Sequence, residues 1–252
     1  MEDKRILTQR DKLVGTIWPT NFSGNVKVEE YRDTYHVLVT FLNTNNKRWV
    51  RFSNLKFGKI VDKTQPSVYG VGYMGIGSYS SNNYSYSVWL NMLQRCCASN
   101  EKINPTYQEC EVCDEWLNYQ NFAKWYSKHA LCENGHLDKD ILIKNNKIYS
   151  PKTCCVVPQV INEIFVKNNK RRGKLPIGVS RASNNIHLYI ARCRVPHSTK
   201  DYIGVFDTPQ SAFVAYKAKK EKVIQLYAQK YKDQIESKVY KALMNYQVDI
   251  TD

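Results

Sequence analysis

Apolar and polar positions alternate with a period of two through the first third of the chain. Val26-Lys27-Val28 and the run from Tyr35 to Phe41 (YHVLVTF) step in this way, which predicts half-buried strands. Asn43-Thr44-Asn45-Asn46 reads as the turn that follows. Arg48 to Phe52 (RWVRF) mixes basic with apolar residues, as a strand with one wet cationic face would. From Tyr86 the period lengthens: Val88, Trp89, Met92, Leu93 and Cys96 fall on one face of a helix. Pro105-Thr106-Tyr107 interrupts that pattern. Asp114 then stands as an N-cap before a second helical region, whose stripe of Trp116, Tyr119, Phe122, Trp125 and Tyr126 predicts a packed core.

The next stretch reads as strand, turn, extended segment and short helix. Leu137 to Ile143 carries branched apolar residues between polar ones, Asn145-Asn146 is turn chemistry, and Cys154 to Val157 is a short apolar run. Pro158 is suited to the first turn of a helix that carries Asn162. Gly178 to Phe206 holds three strand-like pieces, GVSRA, HLYIARCRV and DYIGVF. Thr208-Pro209 supplies an N-cap and a first-turn proline for a long helix with Phe213, Tyr216, Val223 and Tyr227 inward. A weaker helical pattern returns at Ile235, Val239 and Leu243.

Three connectors separate these blocks. Gly70, Gly72, Gly75 and Gly77 mark a segment that lies close to another backbone, DNA being one option, and Ser80-Ser81-Asn82-Asn83 reads as a linker. Lys167 to Lys174 (KNNKRRGK) is a basic arm that includes Lys170, Arg171, Arg172 and Lys174. The expected fold class is therefore α+β, in three parts: a β-rich unit at 1–83, a strand–strand–helix unit buttressed by helices at 84–168, and a basic arm with a three-stranded sheet and long helix at 169–252.

Composition adds a partner. The 252 residues carry a formal charge of +14, with 18 Tyr and 5 Trp, and nucleic acid is the expected polyanion. The charged fraction of 24% and hydrophobic fraction of 42% belong to an ordinary globular chain. No apolar run reaches the roughly 18 residues of a membrane span, and the opening MEDKRILTQR has no apolar signal core. A cytoplasmic protein without disulfides is expected, so the eight cysteines read mostly as small buried hydrophobes. Cys110 and Cys113 have zinc-knuckle spacing, which Cys132 or His129 would have to complete for structural Zn²⁺.

The chemistry concentrates between Leu137 and Phe165. Asp138 and Asp140 near a strand, with Asn162 on the following helix, offer hard oxygen ligands for Mg²⁺ or Mn²⁺. At these residues the chain resembles the ββα-metal nucleases, specifically HNH-type homing endonucleases of phages. The layout W-x2-M-x2-RC, then P-x-Y, then W-x5-F-x2-W before LDKDIL extends the resemblance from about Trp89 to Asn162. It implies that Asp138, Asp140 and Asn162 hold a metal. Asp138-Lys139-Asp140 stands where the family has an Asp-His pair, and Thr153 stands near the family's middle Asn. The water-activating role then falls to His136 or Lys139.

A second resemblance covers the C-terminal block. Gly178-Val179, Ala191-Arg192, Ile203-Gly204-Val205-Phe206, Thr208, Ala212 and Ala215-Tyr216 resemble the AP2 DNA-binding domain, whose sheet enters the major groove. That implies base or phosphate contacts from Arg181, Arg192 and Arg194, while Arg48 and Arg51 offer phosphate contacts from the N-terminal block. Together these readings imply a DNA endonuclease acting on double-stranded DNA as monomer or homodimer. The alternative is a sequence-specific DNA-binding protein with a degenerate centre.

Overall fold

The structure, a computed structural model, describes residues 12–98, 107, 109–166, 174–183, 185–199 and 201–250. Its architecture is α+β, with several small sheets and helices packed among them. The N-terminal unit is an antiparallel meander of β1 (Ile17–Pro19), β2 (Asn25–Asp33), β3 (His36–Phe41) and β4 (Lys47–Val50), in that spatial order. Val26, Val28, Val37, Val39, Phe41 and Val50 point to one side and are buried with Ile60 and with Leu55 of α1 (Phe52–Lys56). The alternation read from the sequence is what puts them there, because successive strand residues face opposite sides.

One local expectation changes. Arg48 and Arg51 do not share a strand face, since β4 ends at Val50 and Arg51 precedes α1. Arg48 sits on the same side as buried Val50, at the sheet margin, where its guanidinium donates to the carbonyl of Val61 at 3.0 Å.

The second core belongs to α2 (Tyr84–Cys97), α3 (Asp114–Leu117) and α4 (Tyr119–His129). Trp89, Met92 and Leu93 meet Trp116, Tyr119, Phe122, Trp125 and Tyr126, and Trp89 Nε1 donates to the Trp116 carbonyl at 2.6 Å. The glycine-rich segment packs on this core instead of on a ligand. Tyr73 bridges Asn118 in parallel, with Tyr73 N to Leu117 O and Tyr119 N to Tyr73 O both at 2.9 Å. A Cβ at Gly72 would collide with Leu93 and Trp89, which explains the glycine. This segment thus joins the central core, upstream of the border expected at residue 83. β5 (Glu111–Val112) pairs in parallel with β7 (Ile148–Tyr149).

Next come β6 (His136–Asp138) and β8 (Cys155–Val157), antiparallel, followed by α5 (Gln159–Ile164). The strand expected over Leu137 to Ile143 stops at Asp138. Its carboxylate Oδ1 accepts from the amides of Asp140 at 2.8 Å and Ile141 at 2.7 Å, which withdraws both from any ladder.

The C-terminal sheet has β10 (Tyr189–Arg192) in the middle, flanked by β9 (Val179–Arg181) and β11 (Tyr202–Phe206). Val179, Ala191 and Cys193 face α6 (Pro209–Lys230), and α7 (Ser237–Met244) covers its far end through Val239 and Leu243. Thr208 caps α6 by accepting from Ser211 N at 3.1 Å. Ile141, Cys155, Val157, Val160, Ile161 and Ile164 lie in this same apolar cluster. The β6–β8–α5 unit and the C-terminal sheet therefore share one core, and the border expected at 168/169 is not a packing border. Among the described residues, no helix is long and apolar enough to cross a membrane.

Candidate functional site

The β6–β8 ribbon has two faces. Leu137 and Val156 turn toward the aromatic core of α2 and α4, while Cys155 and Val157 turn toward the C-terminal core. His136 and Asp138, one on either side of Leu137, share the second face, because strand side chains alternate. That is also the face on which α5 lies, and the Asn162 side chain of α5 comes within 3.4 Å of His136 Nδ1. Pairing of β6 with β8, not proximity in sequence, brings His136 beside Asn162.

Burial governs the electrostatics of this face. Burial pushes the Asp138 carboxyl up from its ordinary value, and the two backbone amides that it accepts only partly offset this. Among the described residues no cation is ion-paired to it. Burial also pulls the His136 imidazole down, and the positive charge of Arg95 adds to that, with Glu163 opposing. The ring is thus held toward its neutral form, with a nitrogen able to accept a proton. Asp138 in turn helps to raise the thiol of Cys155, its partner across the ribbon, whose burial is the larger cause.

Lys139 and Asp140 are organised differently. Lys139 is buried, and its Nζ donates to both oxygens of Asp140 at 2.9 Å and to the Asn146 carbonyl at 2.6 Å. Burial would lower its pKa, but the Asp140 carboxylate more than reverses this, so the ammonium keeps its proton. A protonated lysine cannot take a proton from water, which removes Lys139 from the water-activating role. Asp140 is engaged by that ammonium, and this Lys139–Asp140 pair is electrostatically coupled to Cys110, on the aromatic-core side. Asn162 thus meets His136 on the face that Asp138 shares, while Asp140 is held by Lys139.

The carboxylate of Asp138 and the amide oxygen of Asn162 are donor types that suit a hard divalent cation, and Mg²⁺ commonly needs only one or two protein oxygens beside water and phosphate. Among the described residues no three His, Cys, Asp or Glu side chains are grouped around a metal-sized space, so the amide of Asn162 would be an essential part of such a set. The cysteines expected for zinc do not converge. Cys110 neighbours Cys96, Cys113 neighbours Cys154, and His129 is bonded to Glu236 at 2.8 Å.

Of the residues expected to meet DNA, Arg192 is exposed on the outer sheet face, 3.8 Å from Asp201. Arg194 is exposed just past the strand end. Arg181 pairs opposite Tyr189, one residue out of phase with Arg192's face. Its guanidinium donates to Ile186 O at 2.7 Å and lies 5.4 Å from the Tyr189 ring. Lys174 is exposed, and Lys170, Arg171 and Arg172 lie outside the described residues.

Arg48 and Arg51 meet at a recess of about 190 Å³ that also takes Tyr35, Asn54 and Lys59. Sequence reasoning missed Tyr35 and Lys59, which no spacing connects to Arg48. It also missed Arg95, which lies on α2, is hydrogen-bonded to Tyr149 of β7, and acts on His136 from there. Comparison with protein-family models, with curated proteins and with solved structures finds no match to this chain.

Proposed function

We propose that the chain is a metal-dependent DNA endonuclease of the HNH type, with the β6–β8–α5 unit as its centre and an AP2-like sheet as a DNA-binding surface. One observation carries the reading: His136 and Asp138 share the ribbon face that α5 covers, with Asn162 at 3.4 Å from the imidazole. The excess positive charge of +14 supports a phosphodiester as the substrate.

Asp138 and Asn162 would hold a Mg²⁺ or Mn²⁺ ion, which when bound neutralises charge on the phosphate and leaving oxygen. His136, neutral for the reasons above, accepts the proton of the attacking water. Burial, with the charge of Arg95 adding to it, holds that imidazole toward its uncharged form. Asp138 is fixed by the two amides it accepts, so its carboxylate needs little reorganisation. One centre per chain cuts one strand per binding event.

A second reading, a DNA-binding protein that does not cut, is favoured by one specific feature. The position where the family carries its histidine holds Lys139, locked on Asp140. One experiment separates the two. Purified protein is incubated with long mixed DNA and Mg²⁺ or Mn²⁺, with EDTA, Asp138→Ala and Asn162→Ala as controls, and strand ends are mapped. Site-specific nicks lost in all three controls establish the nuclease. Intact DNA together with a salt-dependent mobility shift leaves the binding protein standing.

A further inference from the structure

β4 is the outer strand of the N-terminal sheet, and a recess opens at its free side. Phe41 N donates to Asn46 O at 2.9 Å, so in this antiparallel ladder Arg48 and Val50 exchange backbone bonds with β3. Trp49 lies between them, and its backbone N–H and C=O therefore point outward from the edge. Beside that edge lies the recess of about 190 Å³. Val50 and Ile60 form its floor, and Arg48, Arg51, Lys59 and Asn54 stand around it. Among the described residues no carboxylate lines it, and none of the three cations is ion-paired. Cations on an edge strand also discourage edge-to-edge pairing. That role needs no concave site, and these three gather around one.

The aromatic at the rim narrows the ligand. Tyr35 is 63% exposed, and the Arg51 guanidinium lies 5.5 Å from its ring centroid. An exposed ring backed by a guanidinium and set next to a cationic recess with room for a phosphate is the pairing used for single strands, where bases leave the stack and lie on aromatic faces. Base faces inside a duplex are not accessible to such a ring.

We infer that the recess at the free edge of β4 holds one phosphate of an unpaired nucleotide, with the adjoining base on Tyr35. Arg48, Arg51 and Lys59 neutralise the phosphate, and the Trp49 amide and Asn54 donate to its oxygens. The inference rests on the nucleic-acid half of the reading above and not on the cutting half.

The test uses the full chain in EDTA, so that cutting plays no part. Anisotropy of a labelled oligothymidine strand is measured for wild type, for Tyr35→Ala and for the double variant Arg48→Gln/Arg51→Gln. A duplex of equal length and poly-glutamate serve as competitors. These side chains are exposed or marginal, and thermal melting checks that each variant is folded. The double variant is expected to weaken single-strand binding by about tenfold or more, and its salt slope to fall by about 0.7 for each lost phosphate contact. Tyr35→Ala is expected to weaken it by about fivefold or more, with duplex affinity moving less than about twofold. Equal losses for single strand and duplex overturn the inference and make the edge a duplex-backbone contact. Competition by poly-glutamate as effective as by the oligonucleotide overturns it in favour of an acidic peptide. An unchanged Tyr35→Ala variant overturns the base-stacking half.

Discussion

Gly75 shows how closely this chain is fitted together at single residues. It has φ near +72°, and a Cβ there would stand 2.0 Å from Asn118 Oδ1. Asn118 is itself committed, because its side chain caps α4 by accepting from Gln120 N at 3.0 Å. Gly75→Ala is therefore expected to cost about 2 kcal/mol or more, from left-handed backbone plus displacement of the cap. Urea unfolding at equilibrium checks this, and a loss under about 0.5 kcal/mol refutes it. The glycines were conspicuous in the sequence, but Asn118 was not, since a glycine run names a close approach without naming what approaches. The same limit holds at the candidate centre. The residues between Leu137 and Phe165 were legible from their types, yet two neighbours in sequence, Asp138 and Lys139, face different cores. Only the one-residue alternation of β6 and the turn at Asp138 decide which is which. The sequence left His136 and Lys139 as alternatives for activating water, and ribbon pairing is what brings His136 beside Asn162.

At the scale of elements, α6 carries the clearest case of a buried charge. Lys220 donates to the carbonyl of Ile164, at the end of α5, over 2.5 Å, and burial pulls its pKa down, with Cys193 slightly opposing. Between that depressed value and the ordinary lysine range, the unfolded chain binds more protons than the folded one, so stability rises with pH in this window. Lys220→Met removes the effect. The advantage of the variant over wild type is expected to be largest near about pH 7 and to shrink toward about pH 10. Chemical denaturation at both pH values measures it, and a constant difference would count against the buried charge. The elements themselves were largely readable: the strands of the N-terminal meander, the aromatic stripe of α3 and α4, and the Thr208 cap each follow from local pattern. The Leu137–Ile143 strand was overextended because a side chain that competes for backbone amides leaves no trace in hydrophobic periodicity.

For the molecule as a whole, the cores decide what behaves as a unit. The N-terminal sheet closes around its own apolar cluster. The central strand–strand–helix unit contributes Ile141, Cys155, Val157, Val160, Ile161 and Ile164 to the cluster of the C-terminal sheet. Calorimetry of the full chain is accordingly expected to resolve the N-terminal sheet from a single larger transition that contains everything downstream. Three resolved transitions would contradict the shared core. Composition shifts and linker-like stretches had marked borders at 83 and 168, but a border in sequence is a statement about backbone chemistry, and cooperative units are defined by which apolar faces need one another.

That shared core bears on how the molecule would measure distance. On the proposed reading, the sheet that grips a target and the face that cuts it are built around one apolar core, so the spacing between gripped and severed positions is set by side-chain packing. The cut would fall at a fixed offset, as if marked on a ruler.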